Sequence, residues 1–234
     1  MINQYDNYLN TALGSDVQSE QKIVLFRKNY MQFLPKNKSI KILDIGPGKG
    51  EMLTMLSKAG YKNMEAVDIS NSVVEYIKSI GYKITFTNDL CDFLNAHLNT
   101  FSLITMCDVL EHIPKNQTLK IMETLKSALT ENGILIIQVP NMQSIVANIF
   151  RYDDFTQEMG YTERSLIQML SIVGFKHIQC YGFEMLEDTL AAKIHYFIRS
   201  LLWFCIITIR KINGYMPHKI LHPVLFAIVK NDKS

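Results

Sequence analysis

The chain has 234 residues, enough for one generous α/β domain or a domain with a small appendage. Hydrophobic residues make up 48% and charged residues 20%, which predicts a packed core and excludes global disorder. The net charge of +2 is too balanced to call for nucleic acid. The four cysteines (Cys91, Cys107, Cys180 and Cys205) form no CxxC pair and fit reduced thiols in a cytoplasmic protein.

Residues 1–15 read as polar and loose, without the basic-then-apolar pattern of a signal peptide. From Asp16 to about Leu34, Ile23, Val24, Phe26, Tyr30, Phe33 and Leu34 recur on a roughly helical period, and the segment PKNKS ends the helix. IKILDIG is then a short, nearly all-apolar strand, as expected in a parallel sheet buried on both faces. A helix over Gly50–Ala59 stops at Gly60, and NMEAVDIS is the second strand. Ser70 or Asn71 caps a helix through Ile80, with Gly81 as its stop. KITFTN, a short helix near Asp92–His97, FSLITMCD, a helix over Lys115–Leu129 and ILIIQVPN continue the alternation. Thr162 caps a helix through Val173, FKHIQCYGFE reads as a strand, and Thr189 to about Ile212 is apolar and helical. ILHPVLFAIVK is the last strand, with Pro223 marking an edge or bulge near its start. Repeated β-α units predict an α/β fold, an open, doubly wound Rossmann-like sheet with helices on both faces.

The residues with chemical meaning begin at ILDIGPGKGE. Glycines at Gly46, Gly48 and Gly50, between a strand and a helix, let the backbone turn tightly and approach a ligand at the carboxyl end of the sheet. A phosphate loop of the GxxxxGK[ST] type is excluded because Glu51 follows Gly50. A dinucleotide fingerprint is disfavoured, since its third glycine position falls on Glu51, where a carboxylate would repel a pyrophosphate. Asp68, at the end of the second strand, suits an acid that accepts a ribose diol, and Asp44 adds a carboxylate where a cationic cofactor would sit.

In this order and spacing, LDIGPGKGE, AVDIS, ND and ITMCDVLEHIP resemble the class I S-adenosylmethionine-dependent methyltransferases over roughly residues 40–180. The resemblance implies a seven-stranded sheet, mostly parallel with an antiparallel last strand. S-adenosylmethionine would be the cofactor and S-adenosylhomocysteine the product. By similarity, the loop from Asp44 through Gly46, Pro47 and Gly48 holds the methionyl part, and Asp68 holds the ribose. Ile69 lies on the adenine, Asp89 with Leu90 meets its amino group, and Met106 and Cys107 line the pocket beside the sulfonium. His112 is the candidate base for a hydroxyl acceptor, with Glu111 as a second candidate base or as a brace of the loop. No metal is expected.

Acceptor binding is expected after the fifth strand. Asn141 opens the loop, and Arg151, Tyr152, Asp154, Thr156, Gln157, Glu158 and Tyr161 form a polar-aromatic patch. RYDDFTQE resembles a subgroup found in bacterial surface-glycan gene clusters, which usually reads DFTHE where this chain has Gln157. The expected activity is O-methylation of a small acceptor in capsule or lipopolysaccharide assembly: a sugar hydroxyl, a nucleotide-linked sugar or a phosphoramidate group. The alternatives are a quinone or lipid methyltransferase and a catalytically silent cofactor-binding regulatory domain. A dehydrogenase is weakest, for the reason given at Glu51. One domain over residues 1–234 is expected, with a helical lid (1–38), a cofactor-binding core (39–150) and an acceptor-binding and C-terminal elaboration (151–234). The apolar run LLWFCIITI is too short to span a membrane. The 191–212 stretch around it reads as a core-covering helix, a homodimer seam, or a contact peripheral to the inner membrane.

Overall fold

A computed structural model describes residues 16–187, 189–215 and 220–232; residues 1–15, read above as loose and polar, lie outside the described residues. Helix α1 (Asp16–Tyr30) precedes a repeating unit: β1 (Ile42–Ile45), α2 (Glu51–Lys58), β2 (Met64–Asp68), α3 (Asn71–Ser79), β3 (Ile84–Phe86), α4 (Leu90–Asn95) and β4 (Phe101–Cys107). A 3-10 turn at Leu110–His112 leads to α5 (Lys115–Ala128) and β5 (Leu129–Pro140). Then come α6 (Ala147–Asp153), α7 (Glu163–Ile172), β6 (His177–Gly182), α8 (Leu190–Ile212) and β7 (Val224–Lys230).

The seven strands lie in the order β3-β2-β1-β4-β5-β7-β6. β1 pairs in parallel with β2 and β4, placing Asp44 opposite Ala66 on one side and Thr105 on the other. β7 runs antiparallel to both β5 and β6, between which it is inserted. The strand order reverses at β1 and β4, so a crevice opens there at the strands' carboxyl ends.

Strand alternation sends neighbouring residues to opposite layers. Leu43, Ile104, Leu135 and Ile137 join Leu94 of α4, Met122 and Leu125 of α5, and Leu166 and Leu170 of α7. Ile42, Leu103 and Ile136 join Phe26 and Tyr30 of α1 and Met55 and Leu56 of α2. α3 closes the second layer with Val73, Val74 and Ile77 against Ala66. Ser70 is the cap of α3, and Thr162 forms a capping box with Ser165 at α7.

Several boundaries differ from the sequence reading. α4 begins at Leu90, because Asp89 rather than a later residue accepts the Asp92 N–H and caps it. β5 follows α5 directly at Leu129 instead of starting past Gly133. The Asn231 side chain makes this join possible by donating to the carbonyls of Lys126, Leu129 and Thr130. α6 forms where the sequence predicts only loop. The reading of residues 191–212 as a core cover is corrected: α8 has no buried residue. By length and composition α8 could also cross a membrane, which the shorter uncharged run had argued against.

Candidate active site

A cavity of about 870 Å³ opens at the crevice between β1 and β4. Its floor is the Gly46–Gly50 bend, where Gly46 adopts φ +67° and Gly50 φ +76°. A Cβ on Gly46 would lie 2.3 Å from Val109 Cγ2, so only glycine lets the bend pass under the chain that leaves β4.

Among the acids of the cavity wall, Asp44 and Asp68 lie toward the carboxyl ends of β1 and β2. Asp44 is buried, accepts the Thr105 hydroxyl at 2.7 Å on Oδ1, and has no partner for Oδ2. Burial pushes its carboxyl from the ordinary 3.8 up to about 7, eased by the Thr105 hydrogen bond and raised further by Glu51. Asp68 accepts the Ser70 N–H at 2.7 Å. Burial lifts it to about 6, against the pull of the Ser70 and Ile69 N–H groups. Pro47, Gly48, Ile69, Asp89 and Leu90 complete this end of the wall. Asp89 spends Oδ1 on the Asp92 N–H, 3.1 Å away.

β4 separates two neighbours. Cys107 faces the cavity, and burial, with the charges of Asp108 and Asp44, holds its thiol well above the ordinary range. Met106 does not face it. Alternation turns Met106 into the core, so its expected place beside a bound sulfonium is corrected. Asp108 then takes φ +56°, a costly conformation for a non-glycine residue. Both its carboxylate oxygens accept from Gln138 Nε2 at 2.9 Å, and Lys22 Nζ of α1 lies 3.5 Å from Oδ2. Gln138 Oε1 in turn accepts the Tyr30 hydroxyl. Burial lowers and Asp108 and Glu51 raise the Lys22 ammonium, with a net rise, so it stays charged over the cavity. Ser19 Oγ donates to Glu51 Oε1 at 3.0 Å. Ser19, Lys22 and Phe26 all line the cavity and share one face of α1 through their i, i+3, i+7 spacing. The sequence reading missed Ser19, Lys22, Asp108 and Gln138; that spacing was the available signal for the first two.

The 3-10 turn at Leu110–His112 presents His112 to the cavity. Its Nδ1 lies 2.9 Å from Thr156 Oγ1, which donates its single proton to Asp154 Oδ1 at 2.6 Å. A hydroxyl that has given its proton to a carboxylate can only accept from the ring, so Nδ1 carries the hydrogen and the imidazole lone pair sits on Nε2. Glu111 does not line the cavity. Its backbone carbonyl accepts the Glu158 and Met159 N–H groups, and burial, with the charges of Asp108 and Asp154, raises its carboxyl well above the ordinary carboxylate range. Buried and absent from the cavity wall, Glu111 is placed to brace the loop, the second of its two expected roles.

The expected acceptor patch divides. Glu158 lines the cavity. Asp154 and Thr156 stand behind His112. Arg151 is occupied by the carbonyls of Gln157 and Glu158, at 2.7 and 3.3 Å. Tyr152 points outward and is exposed, while Gln157 lies in the same loop with its Oε1 buried and unpartnered. Asn141 is fully buried and donates to the carbonyls of Ile220 and His222, and Tyr161 packs in the core. Asn141, Arg151, Tyr152 and Tyr161 therefore do not line the cavity: Asn141 and Tyr161 are buried beside the sheet, Arg151 ties α6 to the loop at 157–158, and Tyr152 faces solvent.

A family model described as a methyltransferase domain matches residues 19–186. The fold is similar to that of an S-adenosylmethionine-dependent methyltransferase from Archaeoglobus fulgidus (TM-score 0.66, 17% identity, covering 92% of this chain and 97% of that one). It is also similar to a methyltransferase of Haloferax volcanii solved in complex with its Trm112 activator (TM-score 0.70, 10% identity, 94% and 93%). A third similar structure is a phosphoethanolamine N-methyltransferase from Haemonchus contortus, solved with phosphomonomethylethanolamine and S-adenosylhomocysteine (TM-score 0.63, 15% identity, 99% and 61%). A comparison with curated protein sequences gives no match.

Proposed function

We propose a specific chemistry for this chain, which belongs to the methyltransferase domain family and takes S-adenosylmethionine as its cofactor: transfer of the methyl group to an oxygen of a small acceptor, with His112 as the base. The observation that carries this reading is the Asp154–Thr156–His112 chain, which leaves the imidazole lone pair on Nε2 in a residue of the cavity wall.

The cavity suits a ligand with an ammonium, a ribose diol and an adenine. Asp44 Oδ2 is a buried acceptor without a donor, and a neighbouring ammonium would both satisfy it and draw its proton off. Asp68 is the acid for the ribose hydroxyls. The Gly46–Gly48 backbone would hold the methionyl part, and Ile69 and Leu90 of the cavity wall would offer apolar contact to the adenine. Asp89 has its second carboxylate oxygen for the amino group. When bound, the cofactor supplies a methyl group on a sulfonium, already a good leaving group. The protein's work is then to align the acceptor, exclude water and take one proton. His112 Nε2 takes that proton, and Asp154, through Thr156, steadies the imidazolium. The lid reading for α1 rests on Ser19, Lys22 and Phe26 along one side of the cavity.

Within this chemistry we place the acceptor among the precursors of bacterial capsule or lipopolysaccharide, as a sugar hydroxyl, a nucleotide-linked sugar or a phosphoramidate group handled in the cytoplasm. The support is the RYDDFTQE segment, which puts Glu158 in the cavity wall and Asp154 and Thr156 behind His112. The exposed apolar face of α8 favours a second class, a quinone or other lipid acceptor. The test is release of S-adenosylhomocysteine from S-adenosylmethionine with a panel spanning nucleotide sugars, phosphoramidates and short-chain quinols. With a hydroxyl acceptor that turns over, His112→Asn lowers kcat by about 10²- to 10⁴-fold while S-adenosylhomocysteine binding persists; an anionic phosphoramidate oxygen has no proton to give up and is indifferent to the change. Full turnover by that variant would remove the base assignment.

A further inference from the structure

Helix α8 touches the domain along one stripe. Arg199 Nη2 lies 3.5 Å from Glu184 Oε2, the Trp203 ring meets His222 edge-on at 4.4 Å, and Arg210 Nη2 donates to the Gln143 carbonyl at 2.9 Å. Residues 199, 203 and 210 fall on one helical face. The opposite face carries Leu190, Ile194, Phe197, Leu201, Phe204 and Ile212, each between 50% and 79% exposed. A contiguous apolar face of this size marks an interaction site.

Its charges say what kind. Between residues 190 and 212 there is no Asp or Glu, but there are Lys193, Arg199, Arg210 and Lys211. Lys193 and Lys211 are about five helical turns apart, so both project from the same flank of the apolar face. Long cationic side chains flanking an apolar face rich in Leu, Ile and Phe suit a surface that is apolar inside and anionic at its rim.

We propose that this face of α8 docks on the surface of an anionic lipid bilayer, with the helix lying in the plane of the interface. Charge selects a bilayer over a second copy of the chain. Antiparallel pairing about Leu201 would set Lys193 against the Arg210–Lys211 end. Parallel pairing would set each cation against its twin, and no carboxylate on the helix offsets either arrangement. The three anchors select the plane over a crossing. At about 34 Å the helix is long enough to span, but spanning would break all three contacts and leave Arg199 near the bilayer centre. The apolar surface continues beyond α8. Arg210 grips residue 143, and the segment that begins there exposes Ile145, Ile149, Tyr152 and Phe155, the last at 97%. The docking surface does not depend on which acceptor the enzyme uses.

Flotation of the full chain with vesicles tests this. Vesicles of phosphatidylcholine with about 30% phosphatidylglycerol should carry the protein up. Pure phosphatidylcholine should carry less, and high salt should weaken the difference. Phe197→Glu with Phe204→Glu should lower vesicle binding by at least about 10-fold, with unchanged melting temperature and unchanged S-adenosylhomocysteine affinity. Lys193→Glu with Lys211→Glu should abolish the preference for the anionic lipid. Trp203 is the chain's single tryptophan, so its emission reports whether α8 stays on the domain; an unchanged spectrum on binding is expected, and a large shift would overturn the in-plane arrangement. The proposal also falls if the parent does not float with anionic vesicles, or if the double Glu variant floats as well as the parent. It falls equally if light scattering finds a dimer that the same variant turns into a monomer.

Discussion

Thr156 Oγ1 lies 2.9 Å from His112 Nδ1, although 44 residues separate the two in the chain. The contact joins the turn after β4 to the loop after β5, so His112 and its support come from different β-α units. Asp154 behind Thr156 sets the direction of the hydrogen bond. Thr156→Val keeps the volume and deletes the acceptor for Nδ1–H. It should reduce kcat by roughly 10-fold or more while leaving KM and cofactor affinity little changed. Thr156→Ser should restore kcat. A kcat equal to the parent's would mean the threonine only packs.

Asp44 makes the stability of the cofactor-free protein respond to pH in the direction opposite to a salt-bridged acid. Its folded carboxyl titrates at about 7 against an ordinary 3.8, so between those values the folded chain holds a proton that the unfolded chain has released. Stability therefore falls as pH rises from about 4 toward 7 and levels off above. Asp68, at about 6, acts in the same sense. Asp44→Asn should flatten most of this slope in denaturant titrations run at several pH values. An ammonium bound beside Asp44 favours the ionised form, so S-adenosylhomocysteine should bind with proton release below pH 7 and more tightly as pH rises toward it. Calorimetry in two buffers of different ionisation enthalpy measures that release, and Asp44→Asn should abolish it.

Gly46→Ala meets two costs at once. The φ of +67° disfavours any side chain by about 1–2 kcal/mol, and the new Cβ would sit 2.3 Å from Val109 Cγ2. The single variant should lose both stability and cofactor binding. Adding Val109→Ala removes the clashing methyl and should recover part of the stability, leaving the backbone cost. If the double variant is as unstable as the sum of its two singles, the close approach is not what makes glycine necessary.

Much of this architecture is written in local patterns. Short, largely apolar runs such as IKILDIG and FSLITMCD mark buried parallel strands because both faces of such strands are covered. The glycines and Asp68 mark the crevice because bends and strand ends are where ligands meet an open sheet. What stayed hidden depends on partners far along the chain. Asn141 looks like a binding residue until the carbonyls of Ile220 and His222 claim its amide. Arg151 looks available until Gln157 and Glu158 occupy it. Met106 and Cys107 are adjacent, and only the strand register tells which one faces the cavity. The placement of β7 between β5 and β6 follows from antiparallel pairing, which composition does not encode. Nor did hydrophobicity say that α8 would lie outside the core, since a buried helix and a docking helix have the same composition.

The most direct test of the account is titration calorimetry of S-adenosylhomocysteine into the parent protein and into Asp68→Ala. With Asp68 at the ribose, the parent should bind. The variant, folded by its melting curve, should bind at least about 10-fold more weakly, as expected for losing hydrogen bonds to an acidic acceptor. Equal affinity in the two proteins would contradict the placement of the cofactor at the carboxyl ends of β1 and β2.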